Sequence, residues 1–303
     1  MSRSDANLRL CGRGTVAHGC AGCAVEEDTR SCPMTEETLS GGFVNATVVR
    51  VGDSVRRKAG VWTPTIHRLL RHVRERGVAW VPEPRGLDEC GREVLAFIPG
   101  EVPHAMPAWI WSGVVLAEVA AALRQWHDAT VGFEPGGAVW NFAAHEPAEV
   151  VCHNDFAPYN CVFRDGRFVG AIDFDFCSPG PRLRDLAYTA YRFVPLMPPE
   201  GAACADGPAG ERSPFPEREL GARLDCFLET YAAGPVRLRY PAAELLRAVG
   251  ARLREIADWT EGHCGGKTEH PLGAKGAMYR AHARWIEERA DRPEWRGEGP
   301  FTA

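Results

Sequence analysis

Three side chains suited to one kind of chemistry follow each other closely in the chain, namely Asp155, Asn160 and Asp173. Phosphoryl transfer needs one carboxylate to receive or orient the proton of the acceptor hydroxyl. It also needs an asparagine and a second carboxylate to hold the magnesium ion that bridges the nucleotide phosphates. The types and the order of these residues therefore predict a catalytic base followed by two metal ligands.

A predicted β-hairpin connects Asn160 with Asp173. Residues 161–163 and 168–172 are short apolar runs typical of strands, and the Asp-Gly pair between them is a strong signal for a tight turn. Such a hairpin would fold Asp173 back beside Asn160. An ordinary polar loop next to a hairpin is the plain alternative, but the loop, the hairpin and the apolar lead-in rarely occur together by chance.

The run that contains Asp155 and Asn160, together with the strand that ends at Asp173, resembles the catalytic core of the aminoglycoside phosphotransferase and choline kinase family. Members of this family are small-molecule kinases that share the two-lobed protein-kinase fold. The likeness covers about residues 39–290 and is strongest over residues 150–192. It implies that Asp155 is the catalytic base and that Asn160 and Asp173 bind Mg²⁺.

The same resemblance assigns supporting roles to neighbouring residues. His153 would hold the catalytic loop in place, and Asp185 would hydrogen-bond to backbone groups of that loop. A helix-start residue is the plainer interpretation of Asp185, and both interpretations make it architectural. For Asp175 two alternatives stay open, contact with a second metal ion or capping of the next segment.

Strand and helix signals predict an α+β protein, and the resemblance implies a two-lobed, protein-kinase-like fold. An antiparallel sheet with one helix at residues 64–76 would form a small nucleotide-binding lobe over residues 34–99, with residues 78–84 as a connection. Its strands are predicted at residues 46–51, 54–58 and 93–98.

Residues 100–303 are predicted to form the larger, mainly helical lobe that carries catalysis and substrate binding. A stretch rich in Pro, Gly and Ala at residues 195–216 is predicted to be a loop. Apolar periodicity places helices at residues 109–128, 217–231, 242–260 and about 275–288.

The nucleotide is predicted to meet backbone groups of the first lobe. Gly41, Gly42 and Asn45 lie between strands, where amides without bulky side chains can approach phosphate. A plain hairpin turn explains the glycine pair equally well. Backbone groups of Ala96 and Ile98 are assigned to the adenine edge by aligning the glycine that follows with the linker glycine of the family.

One part of the kinase pattern is altered. Kinase-like folds carry a lysine on the third strand that contacts the phosphates and pairs with a glutamate on a helix. Strand alternation favours Arg57 in place of that lysine, with Lys58 as second choice. His67 stands where the helix glutamate is expected, and the helix has no carboxylate before Glu75. The activating ion pair is therefore in doubt, but the complete set of base and metal ligands favours retained activity.

Composition excludes several classes of partner. The net charge of −5 gives no indication of nucleic-acid binding or of attraction to an anionic membrane. No apolar run is long enough to span a bilayer, and the first thirty residues lack a secretory leader. We therefore expect a cytoplasmic protein whose partners are a nucleotide and a small molecule.

Residues 1–33 are expected to be a disordered leader, arising from a start upstream of Met34. Four of the eleven cysteines lie there, and the Cys20 and Cys23 pair could bind zinc. The spacing around this pair matches no common zinc module, so an adventitious tail is the plainer interpretation.

The predicted reaction is Mg²⁺-dependent transfer of the γ-phosphate of ATP or GTP to a hydroxyl of a small molecule, with an aminoglycoside-like antibiotic favoured. Ammonium groups of such an acceptor need carboxylates, which Glu255, Asp258 and Glu261 on one helix could supply. A solvated acidic helix face is the alternative for these three residues.

Two rival functions follow from the same sequence. A non-catalytic nucleotide-binding or immunity protein on a kinase-like scaffold would account for the missing lysine–glutamate pair. A protein kinase is disfavoured because no Ala-Pro-Glu segment follows Asp175.

Overall fold

The computed structural model describes residues 36–39, 48–103, 105–199, 211–234, 236–264 and 273–295. The leader with its cysteines lies outside the described residues, and so do Gly41, Gly42 and Asn45. Within the described ranges the protein combines a five-stranded antiparallel sheet, two small two-stranded sheets and six α-helices. No helix in these ranges is long and apolar enough to cross a membrane.

The first part of the chain forms the five-stranded sheet. Its strands are β1 (Glu36–Leu39), β2 (Val48–Val51), β3 (Ser54–Lys58), β4 (Pro84–Leu87) and β5 (Arg92–Ala96). They lie in the order β1-β2-β3-β5-β4, and all neighbours are antiparallel. The predicted strands at 54–58 and 93–98 correspond to β3 and β5, which places two strands that are distant in sequence side by side.

Residues 78–83 form the connection that the sequence predicts, whereas strand β4, which begins at Pro84, was not predicted. The sequence Pro84-Arg85-Gly86-Leu87 has neither a β-branched run nor alternation. Gly86 has φ of +97°, and the pairing register shifts between Pro84 and Gly86. An irregular edge strand of this kind lacks the periodicity from which strands are predicted.

Helix α1 (Thr63–Glu75) follows β3 and agrees with the helix predicted from apolar spacing. Pro64 suits the first turn, where its missing N–H has no partner to lose. Ile66, Leu69, Leu70 and Val73 are all buried. The helix packs against β4 and the first helix of the second part.

The second part is mainly helical. Its helices are α2 (Gly113–Thr130), α3 (Arg182–Phe193), α4 (Glu217–Ala232), α5 (Ala242–Cys264) and α6 (Gly273–Glu287). The most extensive packing joins α5 with α6, α2 with α4, and α3 with α5. The predicted helix at 109–128 begins later than expected, because Ser112 caps α2 by accepting a hydrogen bond from the Val115 N–H. Residues Ala108–Trp111 form a separate short 3₁₀ turn.

Two short sheets carry the polar motif. Strand β6 (Val150–Cys152) pairs with β9 (Ser178–Gly180), and β7 (Cys161–Arg164) pairs with β8 (Arg167–Ala171). Asp165 and Gly166 have φ of +52° and +70°, the backbone of a two-residue hairpin turn. The predicted hairpin is therefore present.

Candidate active site

The loop after β6 is fixed by one buried carboxylate. Asp185, near the start of α3, accepts hydrogen bonds from the backbone N–H groups of His153 at 2.7 Å and Asn154 at 2.8 Å. His127 contacts the same carboxylate at 3.1 Å. Burial alone would raise the pKa of Asp185, but the hydrogen bond and charge of His127 outweigh it and lower the pKa. Asn154 has φ of +65°, so this anchor holds a left-handed backbone at the head of the loop.

His153 supports the loop by packing. Its ring is fully buried and contacts the rings of Trp126, Phe156 and Phe174. Burial lowers the pKa of His153, so the ring is neutral at physiological pH. A neutral ring among aromatic side chains suits a structural role.

Asp155 lies at the centre of the loop, half-buried. Its Oδ1 accepts a hydrogen bond from the Tyr159 hydroxyl at 2.7 Å, and its Oδ2 accepts one from the Asn160 amide at 2.8 Å. Burial raises the pKa of Asp155 to about 7, and the nearby Asp173 acts in the same direction, against the hydrogen bonds of Tyr159 and Asn160. A carboxylate with such a pKa is suited to take up a proton near neutral pH.

The β7–β8 hairpin brings Asp173 back to Asn160. The Ile172 N–H donates to the Asn160 carbonyl at 2.9 Å, and Cys161 pairs with Ala171. Asp173 has φ of +61° and a side chain that is 39% exposed, so a carboxylate oxygen remains accessible beside the loop.

These residues fit a magnesium ion that completes its shell with phosphates. The Asn160 amide nitrogen faces Asp155, which leaves the side-chain oxygen for a cation. No cluster of three or more His, Cys, Asp or Glu side chains is placed to hold a metal in the part of the chain that the structure describes. Magnesium is commonly bound through one or two carboxylates and substrate phosphates, so the types of Asn160 and Asp173 fit this ion, and their assignment as its ligands stays a prediction.

Arg57 on β3 joins the sheet to the metal-ligand segment. Its Nε donates to Glu93 at 2.5 Å, Nη1 to Asp173 at 3.0 Å and Nη2 to Asp175 at 2.5 Å. Arg57 is only 6% exposed, and Glu93 only 1%. One buried guanidinium on β3 therefore contacts three carboxylates, one on β5 and two in the segment that follows β8.

The carboxylate partner of Arg57 comes from a strand, where kinase-like folds use a helix. Glu93 on β5 lies directly opposite Arg57 in the antiparallel register. His67, at the expected glutamate position of α1, contacts the other oxygen of Glu93 at 2.9 Å. Burial would raise the pKa of Glu93, but His67 and Arg57 together lower it. An ion pair is thus present, with its acidic member on a different element.

Glu93 was not predicted as a site residue, because the acidic partner of Arg57 was expected on helix α1. The pairing of β3 with β5 joins residues far apart in the chain, and apolar periodicity carries no information on strand order. An isolated glutamate inside a predicted strand is the one signal that could have found it, since strand interiors are depleted of glutamate.

The remaining predicted site residues are placed as follows. Ala96 closes β5, and its N–H donates to the Glu83 carbonyl at 2.8 Å, so that N–H is used within the protein. Ile98 follows β5, and its side chain packs close to Gly170 of β8. Their assignment to the adenine edge stays a prediction.

Glu255, Asp258 and Glu261 are exposed on α5, and each has an arginine partner. Glu255 accepts from Arg184 at 2.6 Å, whereas Asp258 and Glu261 both accept from Arg280 at 2.7 Å. A cationic acceptor would therefore have to compete with Arg184 and Arg280 for these carboxylates. Their role in substrate binding stays a prediction.

Residues 137–214 match the model of the phosphotransferase enzyme family. Two solved structures share the fold over most of both chains. A choline/ethanolamine kinase family protein from Mesorhizobium loti has a TM-score of 0.54 and 17% identity, covering 86% of this chain and 90% of that one. The resemblance expected from the sequence is confirmed. An ethanolamine kinase from Plasmodium vivax shows the same phosphotransferase fold, with a TM-score of 0.58, 12% identity and coverage of 82% of each chain.

A relative by sequence is the trifolitoxin immunity protein of Rhizobium leguminosarum bv. trifolii. It is 38% identical over 153 residues, which make up 48% of this chain and 58% of that protein. The matched part is thus less than two thirds of the length of this relative. The two-lobed, mixed α+β fold predicted from the sequence is confirmed by its likeness to the two kinase structures from Mesorhizobium loti and Plasmodium vivax.

Proposed function

We propose that the protein transfers the γ-phosphoryl group of ATP, or of GTP, to a hydroxyl of a small molecule. The observation that carries this proposal is the convergence of Asp155, Asn160 and Asp173. Asn160 donates to Asp155 through its side chain, and its carbonyl accepts the Ile172 N–H at 2.9 Å, next to Asp173. A base and two oxygen ligands thus share one edge of the β7–β8 hairpin.

Asp155 acts as the base in this proposal. The acceptor O–H gives its proton to the carboxylate while the acceptor oxygen forms its bond to phosphorus and the bond to the nucleoside diphosphate breaks. A pKa of about 7 keeps a large share of Asp155 ionised at neutral pH. A well-matched base contributes a factor of about 10²–10⁴ in rate, so most of the acceleration comes from positioning and from charge neutralisation.

Asn160 and Asp173 would hold Mg²⁺, which supplies positive charge to the phosphate oxygens when it is bound. Arg57 is proposed to take the place of the usual lysine. Its three nitrogen atoms use one N–H each for Glu93, Asp173 and Asp175. A guanidinium has five N–H groups, so two remain that could contact a phosphate.

Asp175 then has a defined role in the proposal. Its carboxylate is held by Arg57 and is 13% exposed, so it orients the guanidinium. Burial raises the pKa of Asp175 and the charge of Arg57 opposes this effect. We prefer this role to contact with a second metal ion.

The acceptor that we propose is an antibiotic-like small molecule. The name of the 38% identical relative refers to immunity to trifolitoxin, which suggests a toxin or antibiotic as the target. Aminoglycosides stay in the test set because Glu255, Asp258 and Glu261 are exposed, and exposed ion pairs such as theirs with arginine are weak enough to be exchanged. We place the reaction in the cytoplasm, where nucleoside triphosphates are supplied.

A second candidate function is immunity by binding without catalysis. The identity to an immunity protein favours it, and so does the departure from the lysine–glutamate pair. In that case nucleotide would stabilise the fold and the protein would bind the toxin without changing it.

A transfer screen separates the two functions. Native protein is incubated with ATP or GTP, Mg²⁺ and a panel of aminoglycosides, peptide antibiotics, amino alcohols and trifolitoxin, and products are examined by mass spectrometry for an added phosphate. Asp155→Asn is expected to abolish the product. Asp165→Asn is the matched control, because Asp165 is exposed in the hairpin turn and asparagine tolerates its positive φ. Nucleotide binding with no product, and immunity unaffected by Asp155→Asn, would support the second function.

A further inference from the structure

A tyrosine lies between the proposed base and the first metal ligand in sequence, and it contacts the base in space. Tyr159 belongs to the 3₁₀ turn Pro158–Asn160, and its hydroxyl is 2.7 Å from Oδ1 of Asp155. The same hydroxyl is 2.7 Å from the hydroxyl of Tyr188 on α3. The two hydroxyl groups and the carboxylate form a short series of hydrogen bonds, a hydrogen-bond chain that ends on Asp155.

The donor and the acceptor of each bond in this hydrogen-bond chain follow from the number of protons available. An ionised carboxylate only accepts hydrogen bonds, and a phenol has one proton to donate. Tyr159 therefore donates to Asp155, and Tyr188 donates to Tyr159. A donor that itself accepts a hydrogen bond is polarised, and this strengthens its own donation.

The ring of Tyr159 is held from a second side. The guanidinium of Arg192 lies 5.3 Å from the centre of this ring, and Arg192 is anchored by Glu211 at 2.6 Å. Arg192 is 7% exposed, so its position is defined by its surroundings. The tyrosine hydroxyl is thus presented to Asp155 by a fixed ring.

We propose that Tyr159, supported by Tyr188, is a positioning residue that fixes the orientation of the Asp155 carboxylate. This inference rests on the proposed function. Each carboxylate oxygen has two lone-pair sites, so the bonds from Tyr159 and Asn160 leave others for the acceptor hydroxyl. Tyr159 keeps its own proton throughout, because the proton that reaches Asp155 comes from the acceptor.

Two side chains hold the Asp155 carboxylate, one on each oxygen. Tyr159 donates to Oδ1 and Asn160 donates to Oδ2. Only Tyr159 donates a hydrogen bond to Oδ1 among the described contacts.

The test compares Tyr159→Phe with Tyr188→Phe in the full chain, with kcat and KM as readouts. We expect kcat of Tyr159→Phe to fall about tenfold while KM for the acceptor stays within about twofold, because a carboxylate that can rotate still admits the acceptor but is less often in the reacting orientation. Tyr188→Phe should lower kcat less than about threefold, since the bond from Tyr159 to Asp155 remains.

A second substitution guards against misfolding. Incorporation of 3,5-difluorotyrosine at position 159 keeps both the ring and the hydroxyl donor, so kcat should stay within about twofold of the native value. An unchanged kcat in Tyr159→Phe, or equal losses of kcat in both phenylalanine variants, would overturn the inference and leave the proposed function intact. A native protein without transfer activity would instead overturn the proposed function and this role of Tyr159 together.

Discussion

Replacing Arg57 by alanine is the most severe test of the charge cluster that links the sheet to the proposed metal site. The substitution removes the guanidinium that contacts Glu93, Asp173 and Asp175. Glu93 is 1% exposed and Asp175 is 13% exposed, so both carboxylates lose this counter-charge in largely buried positions. Asp173 is 39% exposed, so water screens its charge and its pair with Arg57 adds little to the expected loss of stability.

The expected loss follows from the buried members of the cluster. Breaking a buried ion pair by removing one partner costs about 3–5 kcal/mol, because an uncompensated charge is left behind. For a domain of this size, 1 kcal/mol corresponds to about 2–4 °C in melting temperature, so we expect a decrease of about 6–20 °C. Lys58→Ala is the control, since this neighbouring cation on the same strand is exposed.

The pH dependence of the loss has a defined sign. In the native protein the pKa of Glu93 is lowered, so its contribution is present above the usual glutamate pKa and is lost as pH falls through the lowered value. Removing Arg57 takes away one of the two groups that lower the pKa of Glu93 and the charge that lowers the pKa of Asp175, so both pKa values rise. The carboxyl groups of the variant then take up protons at pH 5, which relieves the buried charge.

Thermal unfolding of native protein, Arg57→Ala and Lys58→Ala at pH 7.5 and pH 5 measures both effects. The difference between native protein and Arg57→Ala should be smaller at pH 5. A loss below about 1 kcal/mol at pH 7.5, the range of a surface ion pair, would refute the cluster as a buried charge network. A loss that does not change with pH would show that the effect comes from packing of the arginine stem.

Three further predictions concern the loop, the hairpin and the base. Asp185→Asn should lower the free energy of unfolding by about 3 kcal/mol at neutral pH, because a buried anion that accepts hydrogen bonds from two backbone N–H groups is lost. The difference from the native protein should become smaller in acid, since the native pKa of Asp185 is lowered and its stabilising effect is lost as pH falls through that value. Gly170→Ala should cost about 1–3 kcal/mol in denaturant unfolding, because its Cβ would lie 2.7 Å from the Trp80 carbonyl, whereas Gly113→Ala in open space should not destabilise the protein. The kcat/KM of transfer should fall as pH decreases through about 7, the pKa of Asp155, and a limb near pH 4 would contradict the assignment of the base.

Local signals predicted much of the fold. The apolar spacing of α1 and the Asp-Gly turn between β7 and β8 each specify one element through neighbouring residues. The same hairpin was enough to predict that Asp173 returns to the side of Asn160, although a register shift between Val162 and Phe163 moves the pairing by one residue and was not predicted. Helix α3 was not predicted as an element, although Asp185 within it was singled out.

Contacts between distant segments were beyond sequence reasoning. Glu93 and Arg57 are 36 positions apart, and they meet only because β5 inserts next to β3. Tyr159 was quoted as part of the motif, but its bond to Asp155 depends on the 3₁₀ turn that aims the ring. Glu255 pairs with Arg252 on α5 itself, but Arg184 and Arg280, the other partners of Glu255 and Glu261, lie on other helices. The pairing of this acidic face could therefore not be predicted from the spacing within α5 alone.

The most direct test of the account is the metal dependence of nucleotide binding, measured by calorimetry with a non-hydrolysable ATP analogue. Native protein should bind the analogue at least about tenfold more tightly with Mg²⁺ than without it, a difference of about 1.4 kcal/mol. Asp173→Ala and Asn160→Ala should lose this Mg²⁺-dependent gain, and Asp165→Asn should retain it. Equal affinity with and without Mg²⁺ in the native protein, or a full gain in Asp173→Ala, would contradict a shared metal and nucleotide site at these residues.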